Sequence, residues 1–192
     1  DVDLSPQDGT SATIPLVASN MNSVTGPRLA AALARRGGLG VLPQDMPLQD
    51  IEAAIRWVKE QPVPWDTPQV LTADATVAEA AALLPATEGH GIVVVAALAD
   101  RIHVDDILGV VPASRLGTAL PDARLGDLAR GRTASIDADD VTDARHAFDL
   151  LVAAEAETVC VLHHGYLVGT LSQRTALRST LYRPAVDANG RL

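Results

Sequence analysis

Prolines divide this chain. Pro62, Pro64 and Pro68 fall close together, and a second Pro/Gly-marked stretch lies between Thr180 and Gly190, around Pro184. Proline removes a backbone donor and locks φ, so such clusters punctuate a chain rather than continue an element. The two stretches bracket one long central module, and that module repeats internally. Its first half reads as a strand near Val70–Thr72, a helix start at Asp74-Ala-Thr76 and a helix through Val77, Ala80, Ala81 and Leu84. Strands Ile92–Ala96 and Ile107–Val111 and a short helix follow. Its second half reads as a strand near Ala134–Ile136, a helix start at Asp139-Asp140 and a helix through Phe148, Leu151 and Val152. Then come a strand Val159–Leu162, a turn at His164-Gly165, a strand Leu167–Leu171 and a helix to Leu181. Gly109-Val-Val in one half answers Gly169-Thr-Leu in the other. Each half has the order strand, helix, strand, strand, helix. Neither could bury its own sheet, so the two should pack together.

The flanking sequence has a different rhythm. Ile14–Ala18 is a short apolar run, the pattern of a buried parallel strand. A helix should span Pro27 to Arg35, with Pro27 in its first turn and Gly37-Gly38 after its end. Leu39–Leu42 is a second apolar run. Leu48, Ile51, Ile55 and Val58 recur at helical spacing and mark an amphipathic helix to Glu60. Strand, helix, strand, helix begins an alternating α/β fold with a parallel sheet. By itself such a fragment leaves a sheet edge bare.

Composition excludes some partners. Lys+Arg 15 against Asp+Glu 24 gives a net charge of −9, whereas nucleic acid and anionic membranes call for a basic surface. A small anionic ligand is compatible with that balance, because a local site can be positive on a negative protein. Hydrophobic residues make up 47% and aromatics only 3%, so the core should be aliphatic and alanine-rich. No apolar run reaches membrane-spanning length and no signal peptide is visible, so a cytoplasmic protein is expected. The single cysteine excludes an internal disulfide and a multi-cysteine zinc site.

The repeated β-α-β-β-α unit resembles a tandem CBS (Bateman) module. The flanks resemble the family of IMP dehydrogenases and GMP reductases, in which such a module is inserted into a (β/α)8 barrel. The resemblance rests on Ser19-Asn-Met-Asn-Ser-Val-Thr25, on Gly37-Gly-Leu-Gly40 and on the return Asp187-Ala-Asn-Gly-Arg-Leu192, three signatures in the family's order. It implies an α/β fold: the first strands and helices of a TIM barrel with an inserted α+β CBS pair. The implied divisions are residues 1–62 for the start of the barrel, 63–127 and 128–181 for the two CBS repeats, and 182–192 for the return. Asn20 before Met21 is similar to GMP reductases, where dehydrogenases more often carry Pro or Ala. Asn22 stands where the family has Asp, and Val41-Leu-Pro-Gln-Asp45 replaces the usual dehydrogenase sequence. These departures resemble an actinobacterial, CBS-containing branch similar to GMP reductase in function.

Several roles are implied by the resemblance. Ser19, Met21 and Asn22 follow the first strand and would touch the ribose and base of a purine nucleotide; read bare, they form a polar turn that caps a helix. The family's nucleophile is a loop cysteine, but Cys160 lies in an apolar strand pattern and reads as a small core residue. The catalytic loop, phosphate-binding strands and nicotinamide site would belong to barrel segments beyond Leu192, so the 192 residues alone should be inactive. In the CBS pattern Gly-apolar-X-Ser/Thr-X-X-Asp, the hydroxyl supports a phosphate and the Asp holds ribose. The second repeat has Ser172 in place and Thr175 instead of the Asp; the first has Pro112 and Arg115 at those positions. Arg115 and Arg174 could pair with phosphates of ATP or GTP, or the pair could be purely structural. The histidines show no metal-ligand spacing, so no metal site is expected at His163-His164, and Asp137, Asp139 and Asp140 read as a turn and cap.

The expected whole protein is a purine nucleotide oxidoreductase, a GMP reductase with NADPH or, as the alternative, an IMP dehydrogenase with NAD. A non-catalytic nucleotide-sensing or oligomerisation module is the reading from another class. A monovalent cation, a homo-tetramer and octamers paired through CBS contacts are further family expectations.

Overall fold

The computed structural model describes residues 3–84, 90–129 and 134–192, apart from the side chains of Ala144 and Ser179. The described chain forms two compact units. One comprises the residues up to Asp66 together with Arg178–Leu192, and the other is Thr67–Leu177.

In the first unit, β1 (Val17–Ala18) and β2 (Leu39–Gly40) pair in parallel, with Val17 opposite Leu39 and Ala18 opposite Gly40. Helix α1 (Pro27–Ala34) connects them and α2 (Leu48–Glu60) follows. The first strand is shorter than the apolar run Ile14–Ala18 implies. Pro15 cannot donate to a ladder. Thr13 and Ile14 instead both donate their N–H to the Gly37 carbonyl, at 2.8 and 3.1 Å. Gly40 lies hard against α1: a Cβ there would stand 2.8 Å from both Cα and Cβ of Ala30. The Asp187–Leu192 segment closes on itself and on α2. Asp187 Oδ1 accepts from the N–H of Asn189 and of Arg191, at 2.9 and 3.0 Å, and Oδ2 lies 3.3 Å from Lys59 Nζ.

The second unit holds two sheets of one design. The first sheet has the order β3 (Gln69–Thr72), β4 (Gly91–Val95), β5 (Ile107–Pro112). The second has β6 (Ser135–Asp137), β7 (Thr158–His163), β8 (Tyr166–Ser172). In each, the first pair is parallel and the second antiparallel. Each antiparallel pair slips register once, after Val94–Gly109 in one sheet and after Val161–Gly169 in the other. The two glycines that answer each other in sequence are therefore equivalent in space, and so are Pro112 and Ser172, at the end of each third strand.

All five residues of β4 are buried, because both its faces are covered. Ile92 and Val94 pack with Val77 and Ala80 of α3 (Val77–Leu83), and with Leu116 of α4 (Ala113–Leu116) and Leu125 of α5 (Leu125–Leu128). Val93 and Val95 face the other way and pack with Ile102, Cys160 and Leu162, which joins the two sheets. Helix α3 opens with a reciprocal cap: Glu79 N–H donates to Thr76 Oγ1 at 3.3 Å and Thr76 N–H to Glu79 Oε2 at 2.7 Å. The second repeat differs from its sequence reading. Asp139 and Asp140 do not start the helix; they lie in a 3-10 turn, Ala138–Asp140, where Asp137 accepts from the Asp139 N–H at 3.0 Å. Helix α6 (Ala144–Ala153) starts later, with Asp143 accepting from the His146 N–H at 2.9 Å. Aspartate favours both arrangements, and the nearer side chain captures the turn first. Helix α7 (Gln173–Leu181) runs across the division between the units. Among the described residues, no helix is long and apolar enough to cross a membrane.

Candidate functional site

Because β1 and β2 are parallel, the loops that follow them leave from the same edge of the sheet. In parallel α/β sheets this carboxyl edge is where ligands bind. The first loop is held from inside. The Thr25 side chain is buried and its hydroxyl donates to the Ser19 carbonyl. The N–H groups of Val24 and Thr25 both donate to the Met21 carbonyl at 2.9 Å. With its backbone satisfied in this way, the loop turns Ser19, Met21 and Asn22 outward, and all three are exposed. The second loop begins where Val41 N–H donates to the Ala18 carbonyl at 3.1 Å, and buried Pro43 anchors it.

One contact joins the loops. Asn22 Nδ2 donates to Asp45 Oδ2 at 2.6 Å. A carboxylate only accepts, so the amide must present its NH2. The amide carbonyl and its second N–H stay outside this contact. Sequence reasoning singled out Asn22 but not Asp45. Asp45 was visible only as part of a departure from a family pattern, and nothing local links positions so far apart.

The expected regulatory residues fall at one end of the second unit. Ser172 ends β8 and is buried; its Oγ accepts from the Thr175 N–H at 3.1 Å and lies 3.0 Å from Thr175 Oγ1. The hydroxyl expected to support a phosphate thus serves as a helix cap. Thr175 is half-buried on the first turn of α7, while Arg174 is exposed beside it. Arg115 is exposed on α4, at the position equivalent to Thr175. Ser114 Oγ donates to Glu157 Oε2 at 2.9 Å, which ties α4 to the start of β7, the strand paired with the Ser172 end of β8. Ser114 and Glu157 carried no motif in the sequence.

Cys160 is fully buried in β7, and burial pushes its thiol up to about 12. A thiol so held is not a thiolate nucleophile at neutral pH. The histidines are another matter. No ligand spacing exists in sequence, yet Asp139, His163 and His164 come together with their ligand atoms within 4.8 Å of one another.

Residues 2–186 match the IMP dehydrogenase / GMP reductase domain family. The chain belongs to that family. It is 37% identical to the GMP reductase of Mycobacterium tuberculosis (strain H37Rv) over 193 aligned residues, which cover 100% of this chain and 38% of that protein. Inosine-5′-monophosphate dehydrogenase of Streptococcus pyogenes is 36% identical over 105 residues, 53% of this chain and 21% of that protein. The chain thus spans less than half the length of these relatives. Solved structures of GMP reductase from Trypanosoma brucei share the fold at 22% identity. The complex with guanosine 5′-monophosphate gives a TM-score of 0.59, covering 96% of this chain and 40% of that one; the complex with guanosine 5′-triphosphate gives 0.57, covering 96% and 45%.

Proposed function

We propose that this chain is part of a GMP reductase, which converts GMP to IMP and ammonia by NADPH-dependent reductive deamination. The observation that carries this reading is the 37% identity to a GMP reductase along the whole chain, including both strand-end loops. The dehydrogenase match extends over only 53% of the chain. IMP dehydrogenation with NAD is the alternative.

In this reading Asn22, oriented by Asp45, hydrogen-bonds the ribose or base of the purine nucleotide, with Ser19 and Met21 beside it. The amide offers both a donor and an acceptor, which suits a carbonyl-bearing purine edge or a ribose hydroxyl. NADPH supplies the hydride in the whole reaction. The Asn22–Asp45 pair has no positive charge to meet its 2′-phosphate, so the loops fit nucleoside hydroxyls and not that phosphate. In this reading buried Cys160 is not the nucleophile.

The second unit is, in this proposal, a tandem CBS pair that regulates the enzyme. Its support is the matched topology of the two sheets, with equivalent register slips. Purine nucleotides would bind at the edge that carries Arg115, Ser172, Arg174 and Thr175, and the pair would mediate contacts in a homo-tetramer or octamer. The full-length protein tests direction: NADPH absorbance falls with GMP if the proposal holds, and NADH absorbance rises with IMP if the alternative does. Regulation predicts a rise in Tm with ATP or GTP. No shift at millimolar nucleotide would leave the pair a structural element.

A further inference from the structure

We propose that Asp139, His163 and His164 form a binding site for a divalent transition-metal ion, with zinc as the fitting probe. Two imidazoles and one carboxylate are a donor set suited to zinc, cobalt or nickel, and three protein ligands leave positions open to water.

The fold brings them together in two steps. Strands β6 and β7 are parallel, with Asp137 opposite Leu162, so the 3-10 turn that follows β6 lies beside the end of β7. Asp137 pins the Asp139 backbone there through the Asp139 N–H. Asp139 Oδ1 then lies 3.5 Å from His163 Nε2. Zinc holding ligands at about 2.0–2.2 Å in tetrahedral array sets neighbouring donor atoms roughly 3.4 Å apart. This first pair already has that spacing.

The second step is the turn. Neighbouring residues on a strand point to opposite faces, so adjacent histidines in a regular strand would diverge. His163 is paired with Tyr166, and the two residues between them, His164 and Gly165, both take positive φ, 51° and 80°. A two-residue turn of this kind favours Asn-Gly or Gly-Gly at its centre. Histidine stands instead where asparagine or glycine is the cheaper choice. That backbone brings the two imidazoles side by side, with ring centroids 4.1 Å apart. All three side chains are exposed, so small rotations close the remaining distance.

The location gives the ion something to act on. The hairpin reaches across to the first repeat: Val104 N–H donates to the Gly165 carbonyl and Leu167 N–H to the Ile102 carbonyl, both at 2.9 Å. The Tyr166 ring carries His103 edge-on at 5.2 Å and Arg101 at 4.1 Å. An ion at the turn would therefore stiffen the hairpin that links the two repeats. This site is independent of the nucleotide reading and stands or falls without it.

The test uses the protein with metal alone. Calorimetric titration with zinc should give saturable binding of one ion per chain, and zinc should raise Tm. His164→Asn keeps a residue that the turn accepts while removing the imidazole. It should fold as well as the wild type and bind at least tenfold more weakly; Asp139→Asn should also weaken binding. With cobalt, the imidazole proton signals of His163 and His164 should broaden before that of His90. Absence of saturable zinc binding overturns the proposal. So does binding that both variants leave unchanged, or broadening centred on another histidine.

Discussion

Asn22 and Asp45 show how one atom's charge decides a contact. The amide faces a carboxylate at 2.6 Å. In Asn22→Asp two carboxylates would face each other, and like charges this close disfavour ionisation of both. The variant should lose about 1 kcal/mol at pH 7, of the order of one hydrogen bond; under the proposed function, KM for the nucleotide in the full-length protein should also rise several-fold. Adding Asp45→Asn should restore most of the stability, because an amide again meets a carboxylate. Urea midpoints of the wild type, the two single variants Asn22→Asp and Asp45→Asn, and the double variant measure this, and a double variant no more stable than Asn22→Asp would refute it. Asp187 is a second single-residue case. The backbone N–H of Arg191, then that of Asn189, and Lys59 hold its carboxyl down to about 2. An unfolded aspartate titrates near roughly 3.9. A folded value below the unfolded one contributes stability that is present above about pH 4 and lost as pH falls toward about 2. Asp187→Asn should flatten the dependence of the unfolding midpoint on pH in that window and leave the curve near neutrality unchanged in slope.

At the scale of elements, close approach does what hydrogen bonding does at the residue scale. Strand β2 meets α1 through Gly40 and Ala30, where the backbones are too near for a side chain on the strand. Gly40→Ala should destabilise the first unit by about 1–3 kcal/mol, the usual range for overpacking a tight contact. Ala30→Gly should recover part of that loss; thermal unfolding of single and double variants is the check. Most element types were legible from local signals. The run from Leu48 to Glu60 became α2 because its apolar positions recur at helical spacing, and Thr76 starts α3 because it caps with Glu79. The elements misjudged were those where local chemistry permits two outcomes. Pro15 shortened β1, and Asp137 drew Asp139 and Asp140 into a turn ahead of α6. Helix α5 has one turn only, too little for a period to register.

For the whole molecule, the joining of the two sheets gives the most direct test. Cys160 lies among Val93, Val95, Ile102 and Leu162 between them. With its thiol pushed up to about 12, it should resist an aromatic disulfide reagent in the folded protein. It should react fully once denaturant separates the sheets, with the midpoint of reactivity tracking unfolding. Fast reaction of the native protein would place the thiol at the surface. The repeat in the central module and the loop Ser19–Thr25 were open to reading from residues alone, because each depends on neighbours a few positions away; the second division of the chain falls inside α7, after Leu177 and ahead of the stretch around Pro184. Periodicity, caps and turn residues are local physics, written locally. What only the tertiary structure decided are the pairings across long stretches of chain: Asn22 with Asp45, Asp139 with His163, Lys59 with Asp187 and Ser114 with Glu157. No spacing rule encodes them. They arise when buried apolar faces, such as Val93 and Val95 against Cys160 and Leu162, fix how the elements pack and carry polar side chains on distant loops into reach.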